Sequence, residues 1–234
     1  SDGLPTYHFA HIVDDHLMGT THVIRSDEWL SSVPLHLQLF QEIGFKAPKY
    51  VHISPIMKND NGNKRKLSKR KDKGAAISYY AKEGIPTDVI RLYLATVNNS
   101  NFEEWYNENP TKTIDDFIFT FDKMPVGGSL FDIEKLINIS KIYFSRKKSE
   151  DILKELLKYL SIYDKEFYEI VKSNQERMIR SLDIEKYTSR PRKDISSYSD
   201  VRKYFWYMFD ELFTKDRYDN IEIKPFYNKE MLID

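Results

Sequence analysis

The chain has 234 residues with 36 basic and 36 acidic side chains and is formally neutral, so any nucleic-acid surface must be a local patch. Hydrophobic residues at 41% and aromatics at 14% supply a packed core and exclude global disorder. The lack of cysteine excludes disulfides, thiolate zinc sites and a cysteine nucleophile, as expected for a cytoplasmic protein, and no apolar run reaches the ~18–20 residues of a membrane span.

This length suits two domains better than one. The opening SDGLPTYHFA has no initiator Met, and the closing NKEMLID carries no capping signal; both read as cuts within a longer protein. Residues 5–13, PTYHFAHIV, alternate and predict a strand. Tyr7, Phe9, His11 and Val13 fall on one face, and His8, Ala10 and Ile12 on the other. Asp14, Asp15 and His16 invite a metal reading. Consecutive strand residues point to opposite faces and no spaced His or Cys joins them, so a cap or a buried hydrogen bond is the better account.

Thr21–Arg25 is a second strand pattern. SSVPLHLQLFQEIG then predicts a helix, capped by Ser31 or Ser32, with Pro34 in its first turn and Gly44 at its end. Lys49–Ser54 is a third strand, and strand–helix–strand is the grammar of a parallel sheet. The DNG at Asp60–Gly62 marks a tight reversal. Further helices are predicted from Thr87 (Val89, Ile90, Tyr93, Leu94), from Ser149 (Ile152, Leu153, Leu156, Leu157, Leu160) and from Ser199 (Val201, Tyr204, Phe205, Met208, Phe209, Leu212). KMPVGGS, Lys123–Ser129, reads as a linker or mobile loop.

Asn63–Gly74, NKRKLSKRKDKG, holds seven Lys and Arg in twelve residues. Such a run is a solvated loop, a nuclear-localisation segment, or a phosphate site beyond a parallel strand. The residue order favours the phosphate site. Leu67 can pin the loop, Ser68 allows a close turn, and Lys66 and Lys69, three apart, can aim at one polyphosphate.

KLSKR in this position resembles the KMSKS loop of class I aminoacyl-tRNA synthetases. The ordered set PTY, VDDHLMG, THVIR, an acidic pair before Trp-Leu, and the lysine signature is similar to the second half of the glutamyl-tRNA synthetase catalytic domain. The resemblance continues through NFEEWYNENP and GSLFDIEKL and thins after about residue 215.

It implies an α/β then mainly α chain. Residues 1–76 form the C-terminal half of a Rossmann-like nucleotide fold, 77–145 a stem-contact region, and 146–234 a helical region on the anticodon side. The implied activity is ATP-dependent ligation of L-glutamate to tRNA(Glu) through glutamyl-adenylate, by a monomer, with Mg²⁺ arriving on ATP and no protein-bound zinc. Lys66, Ser68, Lys69 and Arg70 take the catalytic-loop roles. Tyr7, His11 (where many relatives carry Asn) and Arg25 take the glutamate contacts. Glu28, Trp29, Ile56, Met57 and Lys69 take the ATP contacts, with Ile56 and Met57 offering backbone groups to adenine. Without the resemblance, Tyr7 reads as a core tyrosine, Arg25 as a salt-bridge partner of Asp27 or Glu28, and Trp29 as packing. Basic patches at Arg190–Lys193 and at Arg146, Lys147 and Lys148 are candidates for RNA phosphates. The family's His-x-Gly-His motif is absent, so this chain alone is expected to be inactive. A non-catalytic RNA-binding relative and a paralogue that glutamylates a tRNA nucleoside stay open; glutamine specificity fits VDDHLMG and THVIR less well.

Overall fold

The computed structural model describes residues 3–213; the closing NKEMLID lies outside them. The chain forms two compact units. The first runs to Ala75 and resumes over Arg91–Asp132; the second takes Ala76–Ile90 and resumes at Ile133.

In the first unit, helix α1 (Tyr7–Leu17) leads into strand β1 (His22–Ser26) and a short helical turn, Asp27–Ser32. Helix α2 (Val33–Ile43) then crosses to strand β2 (Lys49–Ile53), which pairs parallel to β1 with Arg25 opposite His52. The predicted β-α-β unit is present. Ser32 occupies the N-cap position, Pro34 lies in the first turn and Gly44 ends α2 at φ +77°. Residues 5–13, however, are not a strand. The apolar alternation there is incidental. Ile12 is fully buried, and His8, His11 and Asp15, at helical spacing around it, are half-buried, as are the flanking Ala10 and Val13. Thr6 accepts from the backbone of Phe9 and Ala10 at the start, and Gly19, at φ +66°, closes the end.

The basic segment is partly a β-hairpin. Strands β3 (Met57–Asp60) and β4 (Asn63–Lys66) pair antiparallel about Asn61 and Gly62, both at positive φ as a type I′ turn requires. KMPVGGS is neither linker nor free loop. It is a packed strap: Gly127 N–H donates to Ser54 Oγ, and Met57 exchanges backbone bonds with Ser129 and Phe131. Helix α4 (Thr87–Asn98) buries Leu92, Tyr93 and Ala95, while Leu94 faces out. Helix α5 (Phe102–Glu108) places Phe102 against Trp105, Tyr106, Phe117 and Phe119.

The second unit holds α3 (Ile77–Glu83), α6 (Ile133–Arg146), α7 (Ser149–Tyr163), α8 (Lys165–Ser173), α9 (Gln175–Asp183) and α10 (Tyr198–Phe205). Its core gathers Leu156, Leu160, Phe167, Val171, Met178, Val201, Phe205 and Phe209. Most residues of the two predicted stripes are buried, with Leu157, Tyr204 and Met208 half-buried, but two caps differ. Ser149 is buried and donates to Asp183 Oδ1 at 2.6 Å. Ser197, not Ser199, caps α10 by accepting from Asp200 N–H, while Ser199 donates to the Glu83 carbonyl. The α10 helix stops at Phe205, before Met208, Phe209 and Leu212.

Candidate active site

The helical form of α1 keeps Tyr7 and His11 on one face, since residues four apart lie one turn above the other. Their rings stack at 5.9 Å with planes 7° apart. Tyr7 also meets Trp29, with ring centroids 4.6 Å apart. Asp15 likewise lies one turn beyond His11, its carboxylate 2.7 Å from His11 Nδ1, and Asp14 is exposed. The pair Asp14–Asp15 thus splits for a helical reason, not by strand alternation.

Arg25 stands near the end of β1. Its Nε donates to His52 Nε2 at 3.2 Å, one terminal nitrogen to His36 Nδ1 at 3.2 Å, and the other to the Trp29 carbonyl at 3.3 Å. The guanidinium lies 4.7 Å from the Tyr50 ring centroid, a cation–π contact. Neither Asp27 nor Glu28 pairs with it. Asp27 accepts from Ser54 Oγ and Glu28 is taken by Lys66, so the simple salt-bridge reading of Arg25 is replaced. His36 is fully buried. Burial, reinforced by His11, Arg25 and His8, lowers its pKa to about 4. Burial also lowers His11, against the pull of Asp15, and lowers His52, with Arg25 adding to it. His11 Nε2 and Tyr50 Oη lie 2.9 Å apart.

The lysine loop meets the same neighbourhood through Lys66, whose Nζ lies 2.5 Å from Glu28 Oε2; that bond holds the Glu28 carboxyl below its usual range. Tyr7, His11, Arg25, Glu28, Trp29 and Lys66 are therefore joined by direct contacts or chain adjacency. Leu67 is half-buried, and its backbone N–H, not its apolar side chain, supplies the observed tie, to the Ile56 carbonyl at 2.9 Å. Lys69 and Arg70 are exposed in the turn that follows. Against the expectation that Met57 offers its backbone to adenine, its N–H already donates to the Ser129 carbonyl at the end of the strap and its C=O accepts from Phe131 N–H just beyond it. The Ile56 carbonyl accepts from Leu67.

One organiser of this loop was not singled out in the sequence. Asp72 is 5% exposed and receives two hydrogen bonds from Arg65 at 2.7 and 2.9 Å, one from Lys58 at 2.9 Å and one from Ser68 N–H at 2.9 Å. Arg65 first, then Ser68 and Lys58, hold its carboxyl far below the carboxylate range. The only acid within the basic run was the available signal. His36, Tyr50 and His52 were also missed; nothing in their spacing announces that they converge on Arg25.

The basic patches are partly internal. Arg192 donates to Asp194 and lies 4.9 Å from the Phe205 ring centroid. Lys147 donates to Tyr143 Oη at 2.6 Å. Arg190, Lys193 and Lys148 are exposed.

The chain is 47% identical over 222 residues to the glutamate–tRNA ligase of Clostridium perfringens (strain 13 / Type A), covering 95% of this chain and 41% of that protein. It is 43% identical over 224 residues to the glutamate–tRNA ligase of Acetivibrio thermocellus, with coverages of 95% and 41%. The crystal structure of a glutamate tRNA ligase from Elizabethkingia meningosepticum, in complex with its amino acid, superposes with a TM-score of 0.67 at 26% identity, covering 89% of this chain and 41% of that one. This chain thus spans about two fifths of the length of these relatives. The family model described as tRNA synthetases class I (E and Q), catalytic domain, matches residues 1–137, over half of the chain. On the β-α-β unit, the lysine loop and these matches together, the chain belongs to the class I tRNA synthetases of the glutamate and glutamine branch.

Proposed function

We propose that the full-length protein containing this chain ligates L-glutamate to tRNA(Glu). A glutamate α-carboxylate oxygen attacks the α-phosphorus of ATP, with Mg²⁺ on the nucleotide, and pyrophosphate leaves. A ribose hydroxyl of the terminal tRNA adenosine then attacks the acyl carbon and AMP leaves.

The observation that carries this reading is Arg25, a partly buried cation whose hydrogen bonds run to uncharged groups. A guanidinium so held favours a carboxylate over an amide, which argues for glutamate against glutamine. Tyr7 and His11 line the same place, with a hydroxyl and a ring nitrogen for the substrate's polar groups. Lys69, with Arg70, offers positive charge to the transferring phosphates, and Ser68 shapes the turn. Lys66 is held by Glu28 in an exposed pair, a weak contact that phosphate oxygens can replace. Glu28, Trp29 and Ile56 are assigned beside the adenosine. Residues 77–145 are assigned to the tRNA stem, and 146–234 lead toward the anticodon side, with Arg190, Lys193 and Lys148 as phosphate contacts. The reading extends to a cytoplasmic monomer.

The test is glutamate-dependent ATP–pyrophosphate exchange by the full-length protein in the presence of tRNA. Lys69→Ala is expected to lower kcat by about 100-fold or more, as removal of a transition-state donor does, with a small change in KM for glutamate. A wild-type protein that binds tRNA but shows no exchange with glutamate would replace this reading by the non-catalytic RNA-binding one.

A further inference from the structure

We infer that His36 is a positioning residue for glutamate recognition: a buried, uncharged acceptor that orients Arg25 without cancelling its charge. The inference rests on the reading of Arg25 as the group that grips the substrate carboxylate.

Arginine can only donate. Since its terminal nitrogen lies 3.2 Å from His36 Nδ1, that ring nitrogen is the acceptor, and the ring proton belongs on Nε2. His36 Nε2 faces His8 Nδ1 at 2.9 Å and donates to it. Both nitrogens of the buried ring are thus engaged, one from α1 and one from β1, and the imidazole cannot turn without breaking both bonds. On the other side of the guanidinium, His52 Nε2 accepts from Nε.

Of the five guanidinium N–H groups, His52, His36 and the Trp29 carbonyl take three. Among the described residues one N–H remains on each terminal nitrogen, and a carboxylate can engage such a pair bidentately. Fixing Arg25 with an aspartate or glutamate would serve as well for orientation, but that anion would compete with the substrate for the same charge. Histidine avoids this, and it accepts from Arg25 only while Nδ1 is unprotonated. The groups facing His36 are Tyr7, His8 and His11 from α1, Arg25 from β1, Tyr50 from β2, and the more distant Asp15. Burial and the three basic neighbours outweigh Asp15, so the ring stays an acceptor throughout the neutral range.

The experiment measures KM for glutamate and for ATP separately, with thermal midpoints, in the full-length protein carrying His36→Leu, His36→Asn, His36→Asp or Arg25→Ala. His36→Leu is expected to raise KM for glutamate about 10–100-fold, the range of a lost hydrogen bond to a charged group, and to leave KM for ATP within about twofold. Asparagine, whose side-chain oxygen hangs from the same carbon as Nδ1, should recover most of that loss. Aspartate, of the same shape but charged, should be worse than asparagine. If the leucine variant fails to fold, the asparagine–aspartate contrast still decides. Equal KM values for glutamate in the asparagine and aspartate variants, or a parallel rise in KM for ATP, would overturn the positioning role. Should Arg25→Ala leave glutamate use intact, the underlying reading fails instead; a crippled Arg25→Ala beside an indifferent His36 series sinks this inference alone.

Discussion

His36 refuses a proton that the unfolded chain accepts. Its folded pKa lies at about 4, below the ordinary histidine value, because the ring is buried among basic neighbours. A group depressed in this way makes the unfolded state bind more protons over the interval between the two values. Stability therefore falls as pH drops from about 6.5 and levels off near 4, where the folded ring also protonates. His11 and His52 are shifted in the same direction. Urea midpoints at pH 7 and pH 5 should show this loss in the wild type and a smaller loss in His36→Asn, which has nothing to titrate there. An equal loss in both would exclude His36 as a source. At this scale Tyr7, Arg25 and Lys66 were legible because they sit in recognisable motifs. Tyr50, His52 and Asp72 were not, because a residue that acts by touching another carries its meaning in a distance.

Among the elements, α1 and the strap were misread for related reasons. In PTYHFAHIV, aromatic and apolar residues alternate, which mimics a half-buried strand; the Gly19 stop and the i, i+4 pairs Tyr7–His11 and His11–Asp15 carry the helical signal instead. The Gly-Gly of KMPVGGS suggested freedom, yet Gly128 is needed for close approach. At φ +80°, a Cβ there would lie 2.6 Å from the Pro55 carbonyl oxygen and 2.7 Å from Met57 Cγ. Both the backbone conformation and the clash penalise a side chain. Gly128→Ala is expected to destabilise the first unit by about 1–3 kcal/mol, read from a urea unfolding midpoint. An unchanged midpoint would mean that the strap is not held as described. The DNG reversal was predicted correctly, though not the strands beside it, because a type I′ turn needs two positive φ values, and Asn-Gly supplies them from sequence alone.

For the whole molecule, the β1–β2 pair is informative. Parallel strands are normally covered on both faces. Here Ile24 of β1 is 56% exposed, and Phe9, Leu35 and Leu37 on the adjoining helices are also exposed. With about two fifths of its relatives' length and no His-x-Gly-His motif, the chain by itself is expected to give no pyrophosphate exchange with glutamate, ATP and tRNA, while the full-length protein does. Sustained exchange by the purified chain would contradict the assignment of half the nucleotide site to residues outside it. What the sequence by itself determined was the family, the β-α-β crossover, the DNG turn and the helical stripes of the second unit. Each depends on residues close along the chain, where spacing and local backbone preference act. What only the tertiary structure decided was the helical form of α1, the packed strap, the Asp72 clasp and the histidine frame around Arg25. These join residues far apart in the chain, 28 positions for His8 and His36 and 73 for Ser54 and Gly127, and their energetics come from burial and neighbouring charge, which exist only once the chain has folded.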